Sequence, residues 1–231
     1  LLIEAGTYDA GFLELWSDAP FLVGDDGRML SEADLRPGGN PARRLVWNSA
    51  RNAAEAAPTT PPNVAASMHL ALTGSYAITT PSGAIACQPV FERLARRCAV
   101  WTPQAVAGVT GIGEDELRAA AAMIAANLPA SFFTWTGTCQ HANSTQTGRA
   151  IAALYALTGC IDAPGGNVWF EKPRLADMTG FGWVDAEERA QTLGLTERPL
   201  GPPQRGWITT RDLFRAIAAG EPYPVSCLVS F

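Results

Sequence analysis

Residues 132–167 read FFTWTGTCQHANSTQTGRAIAALYALTGCIDAPGGN, and the reading of the fold turns on them. Residues 131–136 are rich in aromatics and threonine, which predicts a buried strand. Gly137 then allows a tight turn or the close approach of a ligand. A polar run with few charges follows, with Gln140, His141, Asn143, Ser144, Thr145 and Gln146 side by side. Ile151, Leu154 and Tyr155 recur at helical spacing and predict a helix over 145–157. Pro164-Gly165-Gly166-Asn167 reads as a tight turn. Upstream, Leu117, Ala120, Ala121, Ile124 and Leu128 mark one face, expected to be buried, of a helix over 113–127, which Pro129 stops. Helix, strand and helix at these short spacings predict an α/β layer with a mostly parallel sheet.

In an open parallel sheet, ligands bind beyond the carboxyl ends of the strands, and residues 137–144 hold that position. Asn143 or Ser144 can cap the helix that follows. Its first amides offer free N–H donors and a partial positive charge. Gln140, Asn143 and Gln146 add both donors and acceptors. The segment suits a polar ligand held by hydrogen bonds rather than by charge, a nucleotide or a pterin sooner than a simple metal ion. A purely structural reading stands beside this one. Asn and Ser before a helix are ordinary caps, Gln140 can satisfy loop backbone, and residues 164–167 can be a turn and nothing more.

Outward from this core, Thr7-Tyr8-Asp9 starts a helix with Phe12, Leu15 and Trp16 on its apolar face, ended by Pro20. Residues 21–23 are strand-like and 24–27 a turn. Loops rich in Pro, Gly and Asn at 37–40 and 58–63 flank a short strand-like piece, Leu45-Val46-Trp47. Residues 76–79 and 84–87 flank Pro81-Ser82-Gly83 as a hairpin. Residues 89–97 read as a short helix, and Thr102-Pro103 as a cap followed by proline at the first helical position. Residues 168–170 read as a strand and 171–206 as an extended crossover. Thr209 or Thr210 caps a helix through Phe214 and Ile217 to Gly220, and 224–230 reads as a buried strand. Three regions result: a hairpin-bearing irregular part over 1–100, a helix–strand–helix core with the ligand loop over 101–167, and a crossover entering a further α/β lobe over 168–231.

Composition sets the bounds. Of 231 residues, 47% are apolar and 17% charged, which provides a core and argues against global disorder. A net charge of −5 gives no electrostatic footprint for nucleic acid. No apolar run reaches bilayer length, so direct membrane insertion is not expected. The five cysteines, Cys87, Cys98, Cys139, Cys160 and Cys227, are odd in number and form no C-x-x-C pair. That argues against a disulfide framework and against a self-contained zinc or iron–sulfur site. No G-x-G-x-x-G or P-loop occurs. The chain opens on Leu1-Leu2-Ile3-Glu4 without the order of a signal peptide, and the compartment stays open between cytoplasmic and periplasmic, leaning cytoplasmic. It stops within a strand-like run, so an internal piece of a longer chain is expected.

The pattern Gly137-x-x-Gln140-His141-x-Asn143, then Arg149-Ala150-Ile151-x-x-Leu154-x-x-Leu157-Thr158-Gly159, then Pro164-Gly165-Gly166-Asn167, resembles the molybdopterin oxidoreductase family, the dimethyl sulfoxide reductase superfamily. Residues 12–16 with 19–23, Thr102-Pro103-Gln104 with Val109-Thr110-Gly111-Ile112, and 211–217 with Gly220 and Pro222-Tyr223-Pro224 are similar to segments met in the same order in that family. The nearest likeness is to its formate dehydrogenase, thiosulfate or polysulfide reductase, and acetylene hydratase branch.

The resemblance implies part of an oxidoreductase catalytic subunit. The reaction implied is two-electron redox of a small substrate, such as a sulfur oxyanion or formate. Its cofactor is a molybdenum or tungsten atom held by two molybdopterin guanine dinucleotides (bis-MGD). Partial Rossmann-like parallel-sheet domains of a larger multidomain enzyme are implied too, with a 4Fe-4S cluster in a part N-terminal to this one and subunits for electron transfer. Gly137, Gln140, His141 and Asn143 fall in the loop that approaches the pterin, with Gln140 a hydrogen-bond partner. Gly165, Gly166 and Asn167 fall at the turn into the metal-facing funnel. No metal ligand is implied within this piece, and alone it is expected to be inactive. His141 is the candidate for proton handling, because imidazole changes charge between pH 5 and 8. Formate dehydrogenases of the family carry an arginine a few residues past that turn. Here Val168-Trp169-Phe170-Glu171-Lys172 follow, with no arginine before Arg174, which argues against formate unless Lys172 or Arg174 supplies the charge. The alternatives are a metal-free scaffold or electron-relay subunit on the same fold, and a non-redox hydratase of the family.

Overall fold

The computed structural model describes residues 1–58, 69–171, 173, 175–176 and 180–229, with the backbone alone of Phe181. Lys172, Arg174, Ser230 and most of the loop at 58–63 lie outside the described residues. The chain forms two compact units, Leu1–Phe170 and Glu171–Phe231.

In the first unit, helix α1 (Ala10–Trp16) starts where the Asp9 carboxylate accepts a hydrogen bond from the Phe12 amide at 2.8 Å. Leu13 is its buried residue, whereas Trp16, expected on the apolar face, is 55% exposed. Strand β1 (Leu22–Gly24) leads through the turn at 24–27 to helix α2 (Glu32–Leu35), where Ser31 and Asp34 form a reciprocal capping box. Strands β2 (Leu45–Asn48) and β3 (Ala53–Ala56) pair as a hairpin. The Asn48 side-chain oxygen accepts from the Ala50 and Arg51 amides, which sets its turn. Strands β4 (Tyr76–Thr80) and β5 (Gly83–Pro89) form the hairpin that the Pro81-Ser82-Gly83 turn predicts. With β1 they make an antiparallel sheet in the order β1-β5-β4.

Helices α3 (Val90–Ala99), α4 (Pro103–Thr110), α5 (Glu114–Ala126) and α6 (Ser144–Thr158) follow. Thr102 caps α4 through its hydroxyl, with Pro103 at the first helical position. Two clusters make the core. Leu13, Ala19, Leu72, Phe91 and Leu157 join α1, α3 and α6. Leu22, Leu30, Leu45, Ile78 and Cys87 lie among the strands. The C-terminal end of α6 is tied to this core, because the Asp9 amide donates to the Leu157 carbonyl at 2.7 Å. Gly159 ends the helix with φ +63°, pressed so close to the Asp9 carboxylate that a side chain would clash.

Several expectations fail here. The α5 face at Leu117, Ala121 and Ile124 is only half-buried, and no α5 residue is fully buried, because its main packing neighbour is α4. Residues 131–135 are not a strand, and Phe133 is 89% exposed. Residues 168–170 form no strand either and are exposed. A strand needs a neighbouring backbone to satisfy its amides and carbonyls, and among the described residues none lies alongside these segments. Every described ladder is antiparallel; one isolated parallel bridge joins Ile161 and Asn167. The architecture is therefore mixed α/β with small antiparallel sheets, not the mostly parallel sheet that the helix–strand–helix rhythm predicts.

The second unit contains helix α7 (Ala186–Ala190), capped by Asp185, in place of an uninterrupted crossover. Short 3₁₀ turns lie at Phe181–Trp183 and Pro202–Arg205. Helix α8 (Thr210–Ala219) is capped by the Thr209 hydroxyl and ends at Gly220, as predicted. Residues 224–229 are not a buried strand; Leu228 and Val229 are exposed. No helix of the described residues is long and apolar enough to cross a membrane.

Candidate functional site

The loop singled out by the sequence begins with a 3₁₀ turn at Thr136–Cys139 and runs into α6. Its entrance is anchored twice. The Phe132 ring lies 4.8 Å from the Tyr155 ring on α6, and the Thr138 hydroxyl donates to the Trp135 carbonyl at 3.0 Å. Its exit is the α6 N-terminus, where the Gln146 and Thr147 amides both donate to the Asn143 carbonyl at 3.1 Å. The loop is thus held at both ends against one helix, itself tied to the core through Leu157.

Gln140, His141 and Asn143 are exposed, and among the described residues none has a hydrogen-bond partner for its side chain. Asn143 occupies the N-cap position, yet its carboxamide makes no capping bond, contrary to the cap reading of that residue. The Thr145 amide has no partner among the described residues. Gln146 accepts a long bond from Arg149 at 3.4 Å. The N-terminal end of α6 therefore presents unused donors and acceptors beside a partly positive helix end.

Gly137 adds a steric clue. A methyl at that position would meet nothing within 4 Å, and its φ is not in the left-handed region. Among the described residues, no turn and no packing requires a glycine there. Gly148, which the sequence reading passed over, is alike: it sits inside α6 with open space where a methyl would be. Glycine inside a helix costs about 1 kcal/mol relative to alanine, which is the signal that could have found it.

The turn at 160–167 is built differently. Gly165 is exposed with φ +87°, and Gly166 is packed so that a methyl would lie 2.5 Å from the Cys160 carbonyl oxygen. The Asn167 carboxamide brackets the Phe132 backbone: Oδ1 accepts from the Phe132 amide at 2.8 Å and Nδ2 donates to its carbonyl at 2.9 Å. The Cys160 thiol sulfur accepts from the Ala130 amide at 3.3 Å. So the structure brings the two predicted segments together through their flanks, with Gln140, His141 and Asn143 open on one side and Asn167 engaged on the other. Among the described residues, no three of His, Cys, Asp and Glu gather into a metal-binding group. A cavity of about 830 Å³ lies in the second unit, lined by Thr192, Asp212, Arg215 and Tyr223 among others, and includes none of the loop residues.

No family model matches the chain. Curated relatives do. The chain is 24% identical to a dopamine dehydroxylase of Eggerthella lenta over 322 aligned positions, which take in 99% of this chain and 31% of that protein. It is 30% identical to the dimethylsulfide dehydrogenase subunit alpha of Rhodovulum sulfidophilum, over 78% of this chain and 20% of that subunit. It is 27% identical to the chlorate reductase subunit alpha of Ideonella dechloratans, over 80% of this chain and 20% of that subunit. The ordered motifs and these relatives agree: the chain belongs to the molybdopterin oxidoreductase family, the dimethyl sulfoxide reductase superfamily. It spans about a third of the first of these relatives and a fifth of the other two.

Proposed function

We propose that the full-length protein is the catalytic subunit of a molybdenum or tungsten oxidoreductase, and that this segment forms part of the cradle for a pterin guanine dinucleotide. One observation carries the reading. Gln140, His141 and Asn143 expose donors and acceptors that nothing in the described chain uses, next to a glycine that nothing among the described residues requires. An ordinary cap would have engaged Asn143 with its own helix. A polar heterocycle with many hydrogen-bonding edges fits this set of groups; a bare cation does not.

The bound cofactor supplies the two-electron chemistry, and the protein binds and orients it. Gln140 and Asn143 hold polar edges by hydrogen bonds. Gly137 lets a flat ligand lie against the backbone. His141 holds or delivers a proton at its imidazole. The apolar segments at 131–135, 168–170 and 224–229, unpaired among the described residues, would become strands of Rossmann-like lobes only where further polypeptide of the full-length protein supplies the neighbouring backbone. Their exposed Phe133, Trp135, Trp169 and Phe170 support that reading, since such a run of bare aromatics marks a surface that something covers.

The relatives' names speak of a dehydroxylation, a sulfide dehydrogenation and a chlorate reduction. These names support a small redox substrate, and we propose a 4Fe-4S cluster and electron-transfer subunits serving the same protein. The test is anaerobic turnover by the full-length protein with a reduced viologen dye, offered chlorate, a sulfoxide and a catechol in turn. Dye oxidation with at least one of them, lost in protein made by cells unable to synthesise the pterin, supports the reading. Metal-loaded protein that turns over none of them contradicts the substrate class.

A further inference from the structure

All four polar atoms of Asn167 are used within the chain. Its amide donates to the Cys160 carbonyl at 2.9 Å, and its carbonyl accepts from the Asp162 amide at 2.7 Å. Its side chain takes both backbone groups of Phe132, 35 residues away. A carboxamide placed so copies the pairing of one strand residue with another, offering one donor and one acceptor to a single residue. The neighbours brace the same junction. Cys160 accepts from Ala130, and a methyl on Gly165 would lie 2.9 Å from the Pro129 ring. Phe132 in turn packs on Tyr155 of α6. The segment entering the loop is thus fixed to the 160–167 turn by its backbone and to α6 by its ring.

We propose that Asn167 is a positioning residue rather than a ligand contact: its carboxamide locks residues 130–132 to the 160–167 turn, so that the loop at 137–143 and that turn move as one body. Its consequence for the cofactor rests on the reading of the loop given above; the lock itself does not. Asn167→Asp places a carboxylate oxygen against the Phe132 carbonyl and removes the donor. Asn167→Ala removes both bonds without adding charge. Gln140→Ala removes a proposed cofactor contact and leaves the lock whole.

Hydrogen exchange in the full-length protein, with and without cofactor, separates these roles. In cofactor-free wild type the Phe132 amide is protected. In Asn167→Ala it exchanges about tenfold faster or more, while peptides over β4 and β5 keep the wild-type rate; Asn167→Asp keeps the acceptor for that amide and loses only the bond to the Phe132 carbonyl. Cofactor content falls in the Asn167 variants and also in Gln140→Ala, whose Phe132 protection stays at the wild-type level. A wild-type Phe132 amide without protection overturns the proposal, and so does an Asn167→Ala protein that loses cofactor with Phe132 protection intact. Should a variant fail to fold, the wild-type measurement still decides. Absence of cofactor from the wild type refutes the reading of the loop and leaves the exchange result to stand on its own.

Discussion

Replacing Gly137 and Gly166 by alanine separates a glycine kept for a ligand from one kept for packing. At Gly137 the added methyl meets nothing within 4 Å and the backbone is not left-handed. With no strain to offset it, the loss of unfolded-state freedom stabilises the protein by about 0.4–1 kcal/mol. At Gly166 the methyl would lie 2.5 Å from the Cys160 oxygen and 3.0 Å from its carbon. That gap must open by roughly 0.9 Å to reach ordinary contact. The same carbonyl accepts the Asn167 amide, so the shift strains that bond too. Overpacking of this kind costs about 1–3 kcal/mol. The two variants therefore differ in stability by about 1.4–4 kcal/mol, in opposite directions from wild type. Urea unfolding of the cofactor-free full-length protein measures this. Cofactor content then reads the other half: Gly137→Ala, although stable, retains cofactor with affinity reduced at least about fivefold, since one methyl against a packed ligand costs 1 kcal/mol or more. A Gly137→Ala protein that loads like wild type refutes the close approach at the loop. A Gly166→Ala protein as stable as wild type refutes the packing argument.

Other consequences follow from the same geometry. Gly148→Ala raises the thermal stability of the cofactor-free protein by about 0.5–1 kcal/mol, because the methyl enters open space inside a helix; a lower melting temperature contradicts this. Phe91→Ala, at the centre of the first core cluster and fully buried, costs about 3–5 kcal/mol, measured by unfolding. The Arg28 guanidinium beside Asp34, and Arg96 with the Gly74 amide beside Glu92, hold both carboxyls below their ordinary range. The Asn40 amide, aided by Arg36 and Arg43, does the same for Glu32. Depressed carboxyl pKa values contribute stability that is fully present above the ordinary carboxylate range. It is lost as pH falls from about 4 toward the lower folded-state values. Urea midpoints between pH 6 and 2.5 should fall in that window, and Glu92→Gln should flatten the fall. Burial pushes the Cys87 thiol up from its ordinary value, so it resists alkylation at neutral pH until the protein unfolds.

Local signals read correctly from the sequence. The β4–β5 hairpin was legible because alternation flanks Pro81-Ser82-Gly83. The starts of α4 and α8 were legible because Thr102-Pro103 and Thr209 carry their own capping chemistry. Strand β3 was hidden because Ala53-Ala54-Glu55-Ala56 is alanine-rich, and only pairing with β2 makes it extended. Residues 131–135 have the composition of a buried strand, but composition does not supply the neighbouring backbone. In the candidate site, the polar run was visible as a run. The free state of Asn143 was not, because capping and ligand binding draw on the same residue types. The engagement of Asn167 with Phe132 was invisible for a different reason: nothing local marks a contact across 35 residues.

The central claim is that the loop from Gly137 to Asn143 helps to hold a metal–pterin cofactor, and its most direct test is the metal and pterin content of the full-length protein purified without oxygen. About one molybdenum or tungsten and two pterins per polypeptide is the predicted result. Neither metal nor pterin, from a host that makes the cofactor, would contradict it.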